Sequence, residues 1–155
     1  MIWEELNSAL IFTDLDATNN ADVLEKVGAA LIKEDYAKDT YVEALLKREA
    51  EFPTGLDVDG VGVAIPHTDV SHVKVPGVAI AVLKNPVDFI QMGSDDDKVS
   101  VSIVFMLAVV NPQAHLEKLQ RILAIIQDSE VLKNIKSVKS SDEIIGLIKN
   151  KENTL

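Results

Sequence analysis

The chemistry open to this chain is set by three histidines, His67, His72 and His115, because none of its 155 residues is a cysteine. Without thiols there is no disulfide framework, no thiolate metal site and no sulfur nucleophile, which leaves nitrogen and oxygen groups. A neutral imidazole is nucleophilic near pH 7 and, with a reference pKa of about 6.5, mostly unprotonated there. It can accept a phosphoryl group in line and release it again. Of the three, His67 has the most directive setting: Val61-Gly62-Val63-Ala64-Ile65 reads as a strand, Pro66 stiffens its exit, and the imidazole follows at once. A ring just beyond a strand end is held by the sheet yet reachable from solvent, where reactive groups tend to sit.

Transfer of a phosphoryl group needs positive charge and hydrogen-bond donors around its equatorial oxygens. Arg48 and His115 are the candidates for those donors, with a local hydrogen bond at a helix start as the alternative reading of His115. A metal reading also exists, since His67, Asp69 and His72 could offer nitrogen and oxygen ligands from one loop, although their spacing matches no recognised His-rich pattern. The seven glycines are scattered, so neither a P-loop nor a dinucleotide fingerprint is present. No Gly-x-Ser-x-Gly elbow anchors a serine hydrolase.

The elements that must position these side chains follow from periodicity. Residues 21–34 place Val23, Leu24, Val27, Ala30 and Leu31 on one helical face, with Asn20 or Asp22 as the cap. A second helix over 39–50 turns Val42, Leu45 and Leu46 inward and stops at Phe52-Pro53-Thr54-Gly55, which puts Arg48 and Glu49 at its end. Runs rich in valine, isoleucine and alanine over 61–65, 77–83 and 99–110 read as strands, with a further short one over 87–90 and an acidic turn at Asp95-Asp96-Asp97. Asn111-Pro112 opens a helix with Leu116, Leu119, Ile122, Leu123 and Ile126 in register, and places His115 in its first turn. Two more helices follow over 129–135 and 141–149, the latter with Ser140 and Glu143 at capping-box spacing. Helices on either side of strands indicate an α/β or α+β sandwich, a central mixed β-sheet flanked by helices, as one domain over 1–155.

Bulk properties agree with a globular chain, 47% apolar and 26% charged. The N-terminus lacks a signal-peptide pattern, and the longest apolar run, 103–110, is too short to cross a bilayer, so a soluble protein is expected, in a cytoplasm compatible with the missing cysteines. A net charge of −10 disfavours nucleic acid and anionic membranes and favours a basic protein surface, unless the acidity serves solubility alone.

Two segments, Arg48-Glu49-Ala50-Glu51-Phe52-Pro53-Thr54-Gly55 and Gly62-Val63-Ala64-Ile65-Pro66-His67, resemble the enzyme IIA domain of the bacterial phosphoenolpyruvate-dependent sugar phosphotransferase system (PTS), in its fructose-mannitol superfamily. Phe52-Pro53-Thr54-Gly55, Asp95-Asp96-Asp97, the strand over 99–110 and Asn111-Pro112-Gln113 look most like the stand-alone galactitol type. The resemblance implies that His67 takes a phosphoryl group from the phosphohistidine of the carrier HPr, on Nε2, and passes it to a cysteine of enzyme IIB, after which enzyme IIC moves the sugar. It also implies that Arg48 and His115 stand beside the phosphohistidine, and that neither metal nor nucleotide cofactor is used. Both partners would approach His67 over an apolar rim to which Ile65, Val70 and Val73 could contribute. The alternative within the family is a regulatory relative whose His67 phosphorylation controls a protein partner.

Overall fold

The structure, a computed structural model, describes the backbone of residues 1–155 and every side chain except those of Pro112, Ala114 and His115. In chain order the elements are β1 (Leu6–Leu15), α1 (Asn20–Lys33), α2 (Tyr41–Glu51), β2 (Gly55–Val58), β3 (Val61–Ala64), β4 (Gly77–Ile90), β5 (Lys98–Ala108), α3 (Pro112–Ile126), α4 (Ser129–Ser137) and α5 (Ser141–Glu152). Short 3-10 turns lie at Ile2–Glu5 and Val70–His72. The five strands form one mixed sheet in the order β1-β4-β5-β3-β2, parallel at β1/β4 and β3/β5 and antiparallel at β4/β5 and β2/β3. Helices cover both faces, which makes the expected sandwich.

Alternation along the central strands builds two cores. Ala79, Ala81, Val104 and Met106 turn to one cluster with Val23, Val27 and Leu31 of α1 and Tyr41 and Leu45 of α2. Val78, Ile80, Phe105 and Leu107 turn to the other, with Ile122 and Ile126 of α3, Leu132 and Ile135 of α4, and Ile144 and Ile148 of α5. Strands buried on both faces explain the near-continuous apolar runs of β4 and β5.

Helix boundaries follow local chemistry. The cap is Asn19 and neither of the expected Asn20 and Asp22: its side chain accepts the Asp22 N–H at 2.8 Å. Ser140 and Glu143 close the expected capping box: Ser140 Oγ accepts the Glu143 N–H at 3.2 Å and donates to Glu143 Oε1 at 3.0 Å. The sheet departs from expectation at three places. Residues 77–83 and 87–90 belong to a single strand, β4, whose pairing with β5 slips between Val82 and Val87, where Pro86 is exposed and cannot donate to the ladder. β1 and β2 are strands that the sequence reading omits: β1 pairs only with β4 and carries a mixed burial pattern, and β2 is a four-residue edge.

Close approach holds β3 in place. A Cβ on Gly62 would stand 1.8 Å from the Ser100 carbonyl oxygen, so the strand that leads to His67 lies against β5 at a distance only glycine permits.

Candidate functional site

β3 runs parallel to β5, so their C-terminal ends share one edge of the sheet, and the start of β4 joins them there through the Gly77–Ala108 pair. Past Ala64 the chain is fixed at three points. The Ile65 N–H donates to Thr54 Oγ1 at 3.1 Å, the Pro66 carbonyl accepts the Leu107 N–H at 3.0 Å, and the Ile65 carbonyl accepts a hydrogen bond from the His67 ring at 2.8 Å. A carbonyl can only accept, so Nδ1 of His67 must carry the proton. The neutral ring therefore holds its nucleophilic lone pair on Nε2. The ring is half-buried.

Thr54 owes its position to Glu49. Its N–H donates to Glu49 Oε2 at 2.7 Å and its hydroxyl to Glu49 Oε1 at 2.8 Å. Both residues are buried, Glu49 at 7% exposure, and burial pushes the Glu49 carboxyl up to about 7 against the opposing pull of the two Thr54 hydrogen bonds. Neither Glu49 nor Thr54 is assigned a role by the sequence reading. The available signal is an acidic residue at a helix end followed, past a proline, by threonine.

Arg48 lies in the same last turn of α2, with its guanidinium 4.3 Å from the centroid of the Phe52 ring, which is 55% exposed. Its Nε is shielded from solvent and has no hydrogen-bond acceptor among the described residues. The side chain of His115 falls outside the described residues; α3, the helix that carries it, follows directly from the end of β5.

The 66–76 loop is held from beneath by its second histidine. His72 Nδ1 is 2.8 Å from Thr40 Oγ1 and its carbonyl accepts the Lys38 N–H at 2.9 Å. Among the described residues no group of three His, Cys, Asp or Glu side chains is placed to hold a metal, so His67, Asp69 and His72 do not converge. The expected apolar rim needs correction. Ile65 and Val73 are core residues, drawn in by the sheet, and Val70 is half-buried. The exposed apolar side chains nearest in the chain to this edge are Phe52, Val75, Val110 and Leu116.

Residues 4–151 match the family model described as phosphoenolpyruvate-dependent sugar phosphotransferase system, EIIA 2. The chain belongs to this family. As an enzyme IIA it is a phosphotransferase, carrying phosphoryl groups between proteins. It is 30% identical, over 84% of its own length and 86% of the relative's, to the galactitol-specific EIIA component of Escherichia coli strain K12. Among solved structures it resembles the mannitol enzyme IIA of Escherichia coli, solved in complex with phosphorylated enzyme IIB, with a TM-score of 0.79, 25% identity and coverage of 94% and 97% of the two chains. The nitrogen regulatory protein IIA-Ntr of Neisseria meningitidis is equally similar in fold, with a TM-score of 0.79, 30% identity and coverage of 95% and 98%. No helix among the described residues of this enzyme IIA is long and apolar enough to cross a membrane.

Proposed function

We propose that this enzyme IIA, acting as one unit over 1–155 in the cytoplasm, accepts a phosphoryl group from the phosphohistidine of HPr on Nε2 of His67 and passes it to a cysteine of enzyme IIB, for uptake of a polyol of the galactitol type. The observation that carries this reading is the 2.8 Å hydrogen bond from His67 Nδ1 to the Ile65 carbonyl, which selects the tautomer with a nucleophilic Nε2. In the first step the Nε2 lone pair forms a bond to phosphorus while the donor's N–P bond breaks and its electron pair returns to the donor ring. The charge that the ring gains is stabilised through Nδ1–H by the carbonyl dipole. In the second step a thiolate of enzyme IIB forms the S–P bond and the Nε2–P bond breaks.

Arg48 and His115 supply positive charge to the equatorial oxygens. For Arg48 the support is its place in the turn that also holds Glu49, with no carboxylate paired to it among the described residues. Enzyme IIB as acceptor is supported by the solved complex of the mannitol relative, and the polyol class by the galactitol relative.

Incubation with phosphoenolpyruvate, enzyme I and HPr is expected to label the wild type and not His67→Ala; a label that survives the substitution removes His67 from the role. The similarity to IIA-Ntr favours a second reading, in which the same phosphorylation controls a regulatory partner. Transfer of the label to an enzyme IIB cysteine supports transport. Failure to transfer, together with phosphorylation-dependent binding to a regulator, supports regulation.

A further inference from the structure

We propose that Glu49 is a positioning residue which, as a carboxylate, holds His67 in its Nδ1-protonated tautomer by way of Thr54 and the backbone of Ile65. The inference rests on the reading of His67 as the phosphoryl acceptor and adds to it the group that keeps the acceptor competent.

The hydrogen bonds run in one direction. Ile65 N–H donates to Thr54 Oγ1 (3.1 Å), the Thr54 hydroxyl donates to Glu49 Oε1 (2.8 Å), and the Thr54 N–H donates to Glu49 Oε2 (2.7 Å). A hydroxyl has one proton, and here Glu49 takes it, which leaves the Thr54 oxygen's lone pairs for Ile65. An ionised carboxylate accepts at both oxygens; a protonated one must turn one oxygen into a donor, against either the Thr54 hydroxyl or its N–H. With a protonated carboxyl the Thr54 oxygen is shared between a Glu49 O–H and the Ile65 N–H, which weakens its hold on Ile65. Ile65 sits where β3 has ended, so its N–H depends on Thr54 rather than on a neighbouring strand. Its carbonyl accepts the Nδ1–H of the His67 ring and so orients it. A ring released from that bond distributes its proton over both nitrogens, and only the tautomer with a lone pair on Nε2 reacts there.

Glu49 can exchange its proton with solvent. It lines a cavity of about 250 Å³ between the start of α1, the end of α2 and the β4–β5 turn, bounded by Asn20, Leu24, Leu46, Pro53 and Ile90 among others. The other titratable groups facing that cavity are Glu51 of α2 and Asp95 of the turn; α1 and β4 contribute none. No cation among the described lining residues opposes burial, which raises the Glu49 carboxyl to about 7. Its ionisation therefore changes near pH 7.

The test compares wild type, Glu49→Gln, Thr54→Val and Thr54→Ser, each first checked for folding by circular dichroism. The amide of Glu49→Gln imitates the protonated carboxyl, Thr54→Val removes the hydroxyl at equal size, and Thr54→Ser restores it. Ring-nitrogen NMR shifts of unphosphorylated His67 report the tautomer, and phosphoryl uptake from phospho-HPr reports the rate. Wild type and Thr54→Ser are expected to hold Nδ1–H, while Glu49→Gln and Thr54→Val show mixed tautomers and uptake slower by roughly tenfold. As pH falls below about 7 the wild-type rate should converge on that of Glu49→Gln. An unchanged tautomer and rate in folded Glu49→Gln would overturn the proposal, and this variant decides alone if Thr54→Val does not fold. A wild type that takes no phosphoryl group sinks the phosphocarrier reading instead, and the tautomer comparison still decides the role of Glu49.

Discussion

Two buried glutamates in this enzyme IIA are served in opposite ways. Glu152, at 1% exposure near the end of α5, accepts the N–H groups of Ile2 and Trp3 at 3.0 and 2.7 Å and meets the Arg121 guanidinium at 3.2 Å. Its charge is matched by a cation and by donors from a chain segment about as far away in sequence as the molecule allows. Glu49 has no cation partner among the described residues and depends on the two donors of Thr54, five residues on. One carboxylate staples the N-terminal turn to the C-terminal helix; the other is poorly compensated, and burial raises its carboxyl to about 7. The difference teaches that burial of a charge has two uses. Fully partnered, it fixes a boundary of the fold; under-partnered, it places a titration at the end of the hydrogen-bond chain that leads through Thr54 and Ile65 to His67.

The largest effect that would break this contrast is expected at the staple. Glu152→Ala leaves the Ile2 and Trp3 N–H groups without their acceptor and should cost about 4 kcal/mol in chemical denaturation, with phosphoryl uptake by the folded fraction unchanged. A loss of uptake with stability intact would erase the distinction.

Next comes the pH dependence of stability that Glu49 imposes. Its folded-state value is raised from 4.5 to about 7, so the folded protein holds this proton more tightly than the unfolded chain. The associated stability is present in full below about 4.5 and is lost as pH rises through about 7. Relative to Glu49→Gln, wild type should lose roughly 3 kcal/mol across that window, as measured by guanidinium unfolding at a series of pH values. A parallel pair of profiles would mean that the Glu49 carboxyl titrates alike in the folded and unfolded chain. This cost stands against the ordering of His67, since the ionised form that weakens the fold is the form that completes the hydrogen-bond chain.

The smallest effect sharpens the comparison from the other side. Arg121 is 44% exposed, so Arg121→Gln should cost about 1 kcal/mol or less, because solvent screens the pair and the two backbone N–H groups still hold Glu152. A much larger loss would make the ion pair, rather than the backbone capture, the working part of the staple.

Much of this architecture is written locally. The valine and isoleucine runs of β3, β4 and β5 mark the sheet because those strands are covered on both faces, and the capping box at Ser140 and Glu143 marks α5 because the signal lies within one turn. β1 and β2 escape such reading: β1 has a partner on one side only, and β2 is too short for a period to show. The site divides in the same manner. His67 stands out by its place after a strand and a proline, whereas Ile65 and Val73, read as rim residues, are drawn into the core by strands that their own segment does not contain.

By itself, then, the sequence determined the mixed sheet between helices, the family through its Arg48–Gly55 and Gly62–His67 segments, and the histidine proposed to carry the phosphoryl group. These depend on residue types and short-range spacing, which one strand or one helix turn can enforce. Tertiary structure alone decided that the Ile65 carbonyl is what holds the proton on Nδ1 of His67, and that the last turn of α2 reaches that ring through Glu49, Thr54 and Ile65. A tautomer is chosen by the acceptor a ring meets, and a carboxyl's proton affinity by the donors and solvent that remain to it after packing.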